Sequence, residues 1–382
     1  MRIAFVSTYP PIECGIATYT SFLTEALRAK EVDVYIISHY GGQGKNVFSC
    51  FDYEDRDLSY KIFDMIIRLS PDLVHVQHEF NLFGRQYGVS IVPLYLQLKM
   101  TNIPCVTTLH TIYEKNIFEH KILFSCFFNY SDQLIVHEKF QKQALVEELN
   151  LAEGLEEKIS VIPHGARELN NIPDAKRKLG IDENTKIVLM IGYFSPYKNF
   201  EKILDLWPEI VKEYDGKAIL IIAGKLRTIA YLDYRNLLFE RINSSPAKEH
   251  IKVIRGQISP DSFDIIMSAA DIVVLPYKKI SQSGIFAHCM AFGKPVVTSF
   301  NKTMEAIFSK YKAGLMSKEK EEYVENILRL LKDEKLYKEL SRNARVYVKE
   351  RISWSLVADK HISIYRKLIE PSILNVSTIW MD

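Results

Sequence analysis

Residues 271–299 read DIVVLPYKKISQSGIFAHCMAFGKPVVTS and contain a strand, a polar turn, a helix and a second strand in succession. The run DIVVLPY is apolar and β-branched, as expected of a strand that is buried on both faces. A small, mostly apolar helix begins near Ser283. It ends at Gly293, Lys294 and Pro295, where the run PVVTS (295–299) begins. This pattern predicts two parallel strands joined by a helical crossover.

The same alternation of strand and helix recurs along the whole chain. Short apolar, β-branched runs that end in a polar or glycine turn lie at residues 2–7, 32–38, 73–77, 105–110 and 134–137. The pattern restarts at residues 186–194, 218–225 and 251–256 before it reaches the stretch quoted above. Runs that are apolar throughout suit parallel strands covered by helices on both faces. The predicted fold class is therefore α/β, with two Rossmann-like, doubly wound domains in tandem.

Chain length and one polar segment predict where the domains divide. At 382 residues the chain is too long for one compact core, so two domains are expected. The stretch ARELNNIPDAKRKLGIDENT, residues 166–185, contains Pro173 and lacks apolar periodicity. We predict an N-terminal domain over residues 1–168, a linker over 169–185 and a C-terminal domain over 186–352.

The C-terminal segment, residues 353–382, is predicted to contain one further helix. Apolar residues recur there at helical spacing: Trp354, Leu356, Val357, Ile362, Tyr365 and Leu368. An amphipathic helix of this kind needs an apolar surface to cover.

Composition and charge argue against several classes of protein. The chain is 47% hydrophobic and 25% charged, as ordinary globular proteins are, and its net charge of +2 gives no indication of nucleic-acid binding. Its five cysteines are scattered without the spacing of a zinc site, and we expect them to be reduced, cytosolic thiols. No stretch approaches the roughly 20 apolar residues of a membrane span, so we expect a soluble protein.

The helix that begins near Ser283 has a small, polar first turn. Backbone N–H groups of Ser283, Gly284 and Ile285 would lie at its N-terminus, where unpaired donors and the helix dipole attract anions such as phosphate. These residues alone are equally consistent with an ordinary serine N-cap on a crossover helix. Ligands of open α/β sheets bind outside the carboxyl ends of the strands, so we expect the active site in the cleft between the domains.

Eight motifs, in order, resemble those of glycosyltransferase family 4. They are TYPPIECGIATYT (8–20), TTLHT (107–111), VIPHG (161–165), GYFSPYKN (192–199), IIAGK (221–225), AADIVVLPY (269–277), SQSGIFAHCMAFGKPVV (281–297) and ISWSLVADKHISIYRKL (352–368). Each motif is weak alone, but together they cover nearly the whole chain. The resemblance implies the GT-B fold, in which the C-terminal helix crosses back to the N-terminal domain. It also implies metal-independent transfer of a sugar from a nucleotide donor, with retention at the anomeric carbon.

The resemblance assigns the donor site to the C-terminal domain. In the family, backbone amides of the loop before this helix hold the diphosphate, and four residues take that role here: Ser281, Ser283, Gly284 and Ile285. The family's two glutamates fall at Ile280 and His288. An imidazole at 288 can still hydrogen-bond a ribose hydroxyl, but Ile280 cannot replace a carboxylate, which puts the usual sugar contact in doubt. Glu305 resembles a further family glutamate that contacts the ribose, with capping of the next helix as the alternative.

Lys198, in the motif SPYKN, matches the family's lysine after the first strand of the C-terminal domain. Its compact positive charge suits a departing diphosphate. The family's companion arginine falls at Tyr193, and Lys225 or Arg255, which precedes Gly256, is a candidate to compensate. A solvated loop charge is the alternative for each of these basic residues.

In the N-terminal domain the resemblance implies roles for Gly15 and His110. Gly15 opens the first crossover helix, where the missing side chain leaves room for a diphosphate or an acceptor, unless it is only a turn glycine. His110 matches the histidine that contacts the donor sugar in the family. A histidine at the end of an apolar strand is otherwise often a hydrogen-bonded core group.

A third group of polar residues, His78, Glu79 and Asn81, is expected in a loop at the carboxyl end of the strand of residues 73–77, facing an acceptor or donor sugar. On a strand, His75 and His78 point to opposite faces, so their spacing is poor for a shared metal ion. We therefore expect neither a metal site nor a cofactor, since a nucleotide sugar is a substrate.

The predicted function is a retaining, cytoplasmic glycosyltransferase that uses a UDP- or GDP-sugar to build a surface glycan or glycolipid. Its acceptor would be a glycan or a lipid-linked sugar. The Phe-rich residues 117–130 are either core or a peripheral contact with the inner face of a membrane, and a homo-oligomer is also compatible with the sequence.

Two other functions stay open. Ile280 and Tyr193 are consistent with a non-catalytic subunit that binds a nucleotide sugar or glycan and partners an active transferase. A sugar-phosphate epimerase with the same two-domain plan is the weaker hypothesis, because the terminal helix and the SPYKN loop favour transferases.

Overall fold

The computed structural model describes residues 1–226, 228–278 and 283–377, with side chains described up to Glu370. Two compact units make up the chain. The first contains Met1–Gly165 together with the C-terminal segment from Ile352, and the second contains Ala166–Arg351. Each unit is built on its own parallel sheet.

The first unit has a seven-stranded sheet in the order β3-β2-β1-β4-β5-β6-β7. Its strands are β1 (Arg2–Val6), β2 (Asp33–His39), β3 (Val47–Phe51), β4 (Leu73–His78), β5 (Cys105–Leu109), β6 (Gln133–Val136) and β7 (Ile159–Val161). The order reverses between β1 and β4, which pair in parallel with Ile3 opposite Leu73. The carboxyl ends of these two strands form the switch point, where an open α/β sheet binds its ligand.

The second unit has a six-stranded parallel sheet in the order β10-β9-β8-β11-β12-β13. Its strands are β8 (Lys186–Ile191), β9 (Ala218–Gly224), β10 (Ile251–Arg255), β11 (Ile272–Leu275), β12 (Val296–Ser299) and β13 (Gly314–Ser317). Here the order reverses between β8 and β11, with Val188 opposite Ile272. The two doubly wound sheets confirm the predicted α/β class.

Helices connect the strands and cover the sheets. They are α1 (Gly15–Arg28), α2 (Leu58–Leu69), the single turn α3 (Arg85–Gly88), α4 (Val92–Met100), α5 (Phe118–Tyr130), α6 (Lys139–Glu148), α7 (Ala175–Lys178), α8 (Phe200–Glu213), α9 (Leu232–Ser244), α10 (Pro260–Ala269), α11 (Gly284–Ala291), α12 (Lys302–Tyr311), α13 (Lys320–Lys332), α14 (Glu334–Tyr347) and α15 (Trp354–Ser377). Within the described ranges, none of them is long and apolar enough to cross a membrane.

The first sheet carries an apolar core on each face. Helices α2, α4 and α5 cover one face, where Ile62, Leu94 and Phe124 are buried. Helices α1 and α15 cover the other, where Leu23 and Tyr365 are buried in one cluster. The terminal helix therefore packs on the first unit, which confirms the predicted return of the chain to the N-terminal domain.

The segment predicted as a linker, residues 169–185, packs against the second unit. Lys176 Nζ lies 2.9 Å from the Asp271 carboxylate, at a site where both side chains are largely buried. The backbone N–H of Ile172 donates to Ser268 Oγ over 2.9 Å. Helix α7 lies within this segment, and the change between the two units falls at Gly165 and Ala166.

Candidate functional site

The loops that follow β8 and β11 lie side by side at the switch point of the second sheet. The loop after β8 contains a short turn, Pro196–Lys198, which Ser195 caps by accepting from the N–H of Tyr197. The loop after β11 begins at the strand end, and the backbone N–H of Lys278 donates to the Tyr197 carbonyl over 2.9 Å. This bond holds the two loops together.

Lys198 and the N-terminus of α11 are linked through Tyr277. The Lys198 ammonium lies 3.8 Å from the centre of the Tyr277 ring, in the geometry of a cation–π contact. The Tyr277 hydroxyl lies 3.5 Å from Ser283 Oγ. The structure thus brings the predicted lysine and the predicted anion-binding helix end together on one side of the second unit.

Ser283 is the N-cap of α11. Its Oγ accepts from the backbone N–H of Phe286 over 3.1 Å, so the ordinary capping interpretation is correct for this side chain. The first-turn N–H groups of Gly284 and Ile285 have no acceptor one turn earlier within the helix, as at every helix start. The cap leaves those donors at the positive end of the helix dipole, and anion binding there stays a prediction. Ser281 and Ile280 lie outside the described residues.

The other predicted donor-site residues are spread over the second unit. The ring of half-buried His288 meets Phe263 edge-on at 4.9 Å. Half-buried Tyr193 lies two residues after the end of β8. Arg255 lies over the Phe239 ring at 5.1 Å, and Gly256, with φ of 104°, follows it at the end of the edge strand β10. Strand β9 lies between β10 and β8. Arg255 and Gly256 are therefore at the end of a different strand from the one whose following loop contains Lys198.

Glu305 lies inside α12 and not at the N-cap of a helix, so its predicted capping role is wrong. Asn301 is the N-cap of α12, and its side chain accepts from the N–H of Met304 over 2.9 Å. Glu305 lies one residue further on and is exposed.

A charged cluster that the sequence did not reveal supports the loop after β11. Glu201, in the first turn of α8, accepts from Lys278 Nζ over 2.6 Å and from the Tyr234 hydroxyl. Burial acts to raise the pKa of Glu201, but these two hydrogen bonds outweigh it and lower that pKa below its usual value. The carboxylate therefore stays ionised and anchors Lys278 at the end of the strand.

In the first unit, Gly15 begins α1 on the loop that follows β1. A Cβ placed on Gly15 would meet no described atom within 4 Å. A side chain at this position would therefore meet no steric barrier, and the predicted role of Gly15 toward a ligand stays a prediction.

His110 follows β5 and is buried, with both ring nitrogens in hydrogen bonds. Nε2 lies 2.8 Å from the side-chain amide of Gln77, and Nδ1 lies 3.2 Å from Nε2 of His137. Burial, followed by the neighbouring His137 and His164, holds the pKa of His110 well below its usual range. His110 is thus a neutral, hydrogen-bonded histidine at the carboxyl edge of the first sheet.

His78 is part of β4 and not of the loop after it, so its predicted place is wrong. Its ring is buried 4.5 Å from the Phe127 ring, and burial lowers its pKa to about 3. Because the strand continues to residue 78, the predicted loop begins at Glu79, which accepts from Thr111 Oγ1 over 2.6 Å. Asn81 is exposed in that loop.

His75 and His78 lie on opposite faces of the sheet, as predicted. His75 bonds to Tyr365 of α15, whereas His78 packs on Phe127 of α5. No group of three His, Cys, Asp or Glu side chains among the described residues could hold a metal ion.

Gln77 and His137 bond directly to His110 and were not among the predicted site residues. A signal was available, since the strand runs 105–110 and 134–137 both end in histidine. In a parallel sheet the ends of neighbouring strands lie side by side, so His110 and His137 could have been predicted to meet.

Two family sequence models match the chain. Residues 14–167 match glycosyltransferase family 4, and residues 171–347 match glycosyl transferases group 1. The α-monoglucosyldiacylglycerol synthase of Streptococcus pneumoniae is 24% identical over 341 residues, which cover 81% of this chain and 73% of that protein. An uncharacterized glycosyltransferase of Methanocaldococcus jannaschii is 24% identical over 97% of this chain and 99% of its own length.

Solved structures share the fold at low sequence identity. Sucrose-phosphate synthase from Thermosynechococcus elongatus superposes with a TM-score of 0.76 at 17% identity, covering 97% of this chain and 100% of that one. Anabaena HepE in complex with UDP and glucose gives a TM-score of 0.74 at 15% identity, covering 96% of this chain and 100% of that one.

Proposed function

The chain belongs to glycosyltransferase family 4, the group 1 glycosyl transferases, and we propose that it transfers a hexosyl group from a nucleotide sugar with retention at the anomeric carbon. The observation that carries this proposal is the link from Lys198 through Tyr277 to Ser283. It joins a cation to a helix N-terminus at the switch point of the second sheet. Such a pair suits the two phosphates of a nucleoside diphosphate.

Lys198 and the first turn of α11 would stabilise the leaving group. As the bond between the anomeric carbon and the diphosphate oxygen breaks, its electron pair leaves with the diphosphate, where negative charge builds up. The ammonium and the amides of Gly284 and Ile285 would offset that charge. Contacts that strengthen as the charge develops accelerate the reaction, which is why the leaving group is the point to stabilise.

Retention follows if the acceptor hydroxyl attacks the face from which the diphosphate departs. Its oxygen forms the new bond to the anomeric carbon, and its proton passes to an oxygen of the leaving phosphate. The products are a glycoside with the donor's anomeric configuration and a nucleoside diphosphate. This route needs neither a metal ion nor a carboxylate base, and no cofactor is proposed.

A UDP- or GDP-hexose is the proposed donor. The fold match to a protein solved with UDP and glucose makes UDP-hexoses the first to test. We assign donor binding to the second unit, around Lys198 and Ser283, and acceptor binding to the first unit, around Glu79 and Asn81.

The proposed acceptor is a glycan or lipid-linked sugar of a cell-surface glycan or glycolipid. One relative is named for synthesis of a monoglucosyldiacylglycerol, which is a glycolipid. Phe118 and Ile122 lie one turn apart on α5, are 73% and 51% exposed, and have Lys121 beside them. An exposed apolar pair with a neighbouring cation suits a peripheral contact with an anionic membrane on the cytoplasmic side.

The experiment is a transfer assay with UDP-, GDP- and ADP-hexoses, each offered with lipid-linked and free glycan acceptors. We expect turnover with a UDP- or GDP-hexose, and NMR of the glycoside should show the α configuration from an α-linked donor. A β product would overturn retention. Saturable donor binding without hydrolysis or transfer for any pair would instead favour the non-catalytic subunit.

A further inference from the structure

A continuous chain of side-chain hydrogen bonds crosses one face of the first sheet. At one end, the Tyr365 hydroxyl of α15 lies 2.6 Å from His75 Nδ1. His75 Nε2 lies 3.1 Å from the amide of Gln77, which in turn contacts His110. His110 contacts His137, and His137 Nδ1 lies 3.0 Å from the carbonyl oxygen of Ile162, just after β7.

The carbonyl end of the chain sets the direction of every bond in it. The Ile162 carbonyl can only accept, so His137 must carry its hydrogen on Nδ1. His137 is fully buried and neutral, because burial lowers its pKa to about 3. Its Nε2 is therefore a bare acceptor, and His110 Nδ1 must donate to it.

The next bond orients the amide of Gln77. A neutral His110 that carries its hydrogen on Nδ1 has a bare Nε2, and only a donor can satisfy that nitrogen. The structure places Gln77 Oε1 toward His110 and Nε2 toward His75, and a half-turn of the amide brings its NH2 group to His110 and its carbonyl oxygen to His75. The two ends of a glutamine amide have nearly the same shape, so the hydrogen-bond network decides this orientation.

The last bonds reach the terminal helix. His75 Nε2 donates, because both the Gln77 carbonyl and Thr108 Oγ1, at 2.8 Å, can accept from it. His75 Nδ1 is then bare and accepts from the Tyr365 hydroxyl. Every bond between Tyr365 and Ile162 then has one donor and one acceptor, and all the donors point from Tyr365 toward Ile162.

We propose that Gln77, His137 and Tyr365 are positioning residues that hold His110 in the Nδ1–H tautomer and couple its orientation to the seating of α15.

Neighbouring elements also face this chain of hydrogen bonds. Tyr19 of α1 lies edge-on to His110 at 4.8 Å, and His361 of α15 lies 5.6 Å from the His75 ring. Both are uncharged groups, so no ion among them opposes the neutral arrangement.

The consequence for the reaction rests on the proposed function. If His110 belongs to the sugar site, it offers one fixed, neutral ring to every substrate molecule. A group that is already held in place does not have to reorganise during the reaction. Loss of the hydrogen-bond chain should therefore reduce kcat more than it raises KM.

The test is two-bond ¹H–¹⁵N NMR on the full chain with ¹⁵N-labelled histidine, which reports the tautomer of each ring without any substrate. His110→Asn assigns the His110 signals by their loss. In the wild type we expect a single His110 species with hydrogen on Nδ1. A wild-type His110 with hydrogen on Nε2 would overturn the proposal.

Tyr365→Phe removes only the hydroxyl that sets the far end of the chain. Without that donor, His75 Nδ1 loses its partner and the end of the hydrogen-bond chain on α15 is released, so the His110 signals are expected to shift or broaden while its hydrogen stays on Nδ1. Tyr95→Phe is the matched control, because Tyr95 is an equally buried tyrosine whose hydroxyl bonds to Thr107 on the other face of the sheet. It should leave the His110 signals unchanged. Identical spectra for the wild type and Tyr365→Phe would refute the coupling to α15.

Kinetics of the same variants separate this proposal from the proposed function. We expect kcat of Tyr365→Phe to fall by about tenfold with KM nearly unchanged, and Tyr95→Phe to match the wild type. If the His110 signals change as expected while turnover does not, the positioning chain stands and the role of His110 in transfer fails.

Discussion

The ammonium of Lys198 lies 3.8 Å from the centre of the Tyr277 ring. These residues belong to loops that follow two neighbouring strands, β8 and β11, at the point where the strand order reverses. Tyr277 also approaches Ser283 at the start of α11. One aromatic ring thus connects a cation with a helix N-terminus.

Lys198→Ala should lower transfer by at least about tenfold, equivalent to about 1.4 kcal/mol of lost transition-state stabilisation. The reason is the loss of a positive charge from the proposed diphosphate site. The measurement is kcat/KM for the donor, with the melting temperature as a check on folding.

Lys202→Ala is the matched control for that change. Lys202 lies in the first turn of α8, four residues after Lys198, and contacts a different ring, that of Tyr323, at 4.3 Å. Its loss should leave kcat/KM within about twofold of the wild type, a difference of about 0.4 kcal/mol. Equal losses in the two variants, or wild-type turnover in Lys198→Ala, would remove Lys198 from the site.

Chelation should leave turnover intact. The ammonium of Lys198 and the first-turn amides of α11 are proposed to carry the charge of the leaving group, so no divalent ion is needed for that purpose. The assay is transfer before and after EDTA treatment. Loss of activity that magnesium or manganese restores would contradict the expectation.

The strands and the terminal helix could be predicted from sequence because burial on both faces leaves a simple pattern. The run at residues 186–194 is apolar from Ile187 to Ile191 and corresponds to β8, and the stripe from Trp354 to Leu368 identifies α15. Edge strand β3 leaves no such signal, because four of its five residues are only partly buried. Segment 169–185 looks like a linker for a related reason, since polar contacts such as Lys176 with Asp271 hold it in place.

The residues of the candidate site also differ in how well the sequence predicts them. Lys198 and Ser283 were recognisable because each sits in a short motif at the end of a strand. The bond between His75 and Tyr365 joins residues 290 positions apart, and no local pattern indicates such a contact. Only the return of α15 to the first unit brings them together.

Acid should destabilise the protein through its buried histidines. Burial lowers the pKa to about 3 for His137 and to about 4 for His361, whereas the unfolded chain has the ordinary value near 6.5. Below about pH 6.5 the unfolded state takes up protons that the folded state excludes, so stability falls as the pH drops toward 4. Each histidine should contribute up to about 1.4 kcal/mol per pH unit.

Urea unfolding at pH 7.5, 6.5 and 5.5 measures this effect. His361→Phe is the informative variant, because it removes one fully buried titrating ring. The free energy of unfolding of this variant should depend less steeply on pH than that of the wild type, and the difference in slope should correspond to about one proton. Equal slopes for the two proteins would contradict the assignment of His361 to this effect.

Gly165→Ala should destabilise the first unit. A Cβ at this position would lie 2.3 Å from the indole of Trp354, far inside van der Waals contact. The ring that starts the buried face of α15 would have to move, at a cost of about 1 to 3 kcal/mol. Gly15→Ala is the control for stability, since its Cβ meets no described atom within 4 Å, and its melting temperature should stay close to that of the wild type. A Gly165→Ala protein as stable as Gly15→Ala would show that the indole does not pack on residue 165.

Removal of the terminal helix should expose the core of the first unit, even though its sequence follows that of the second. Trp354, Val357 and Tyr365 are buried with residues of α1 in one cluster. At about 1.5 to 3 kcal/mol for each large apolar side chain, their loss removes much of a typical stability of about 5 to 15 kcal/mol. A chain truncated from Ser353 onward should therefore be insoluble or sensitive to protease, whereas a chain that ends at Glu370 keeps these three contacts and should resist. Hydrogen exchange locates the effect, with faster exchange expected in residues 1–165 of any soluble truncated protein. If the chain truncated from Ser353 melts at the wild-type temperature and those residues exchange at the wild-type rate, α15 does not stabilise the first unit.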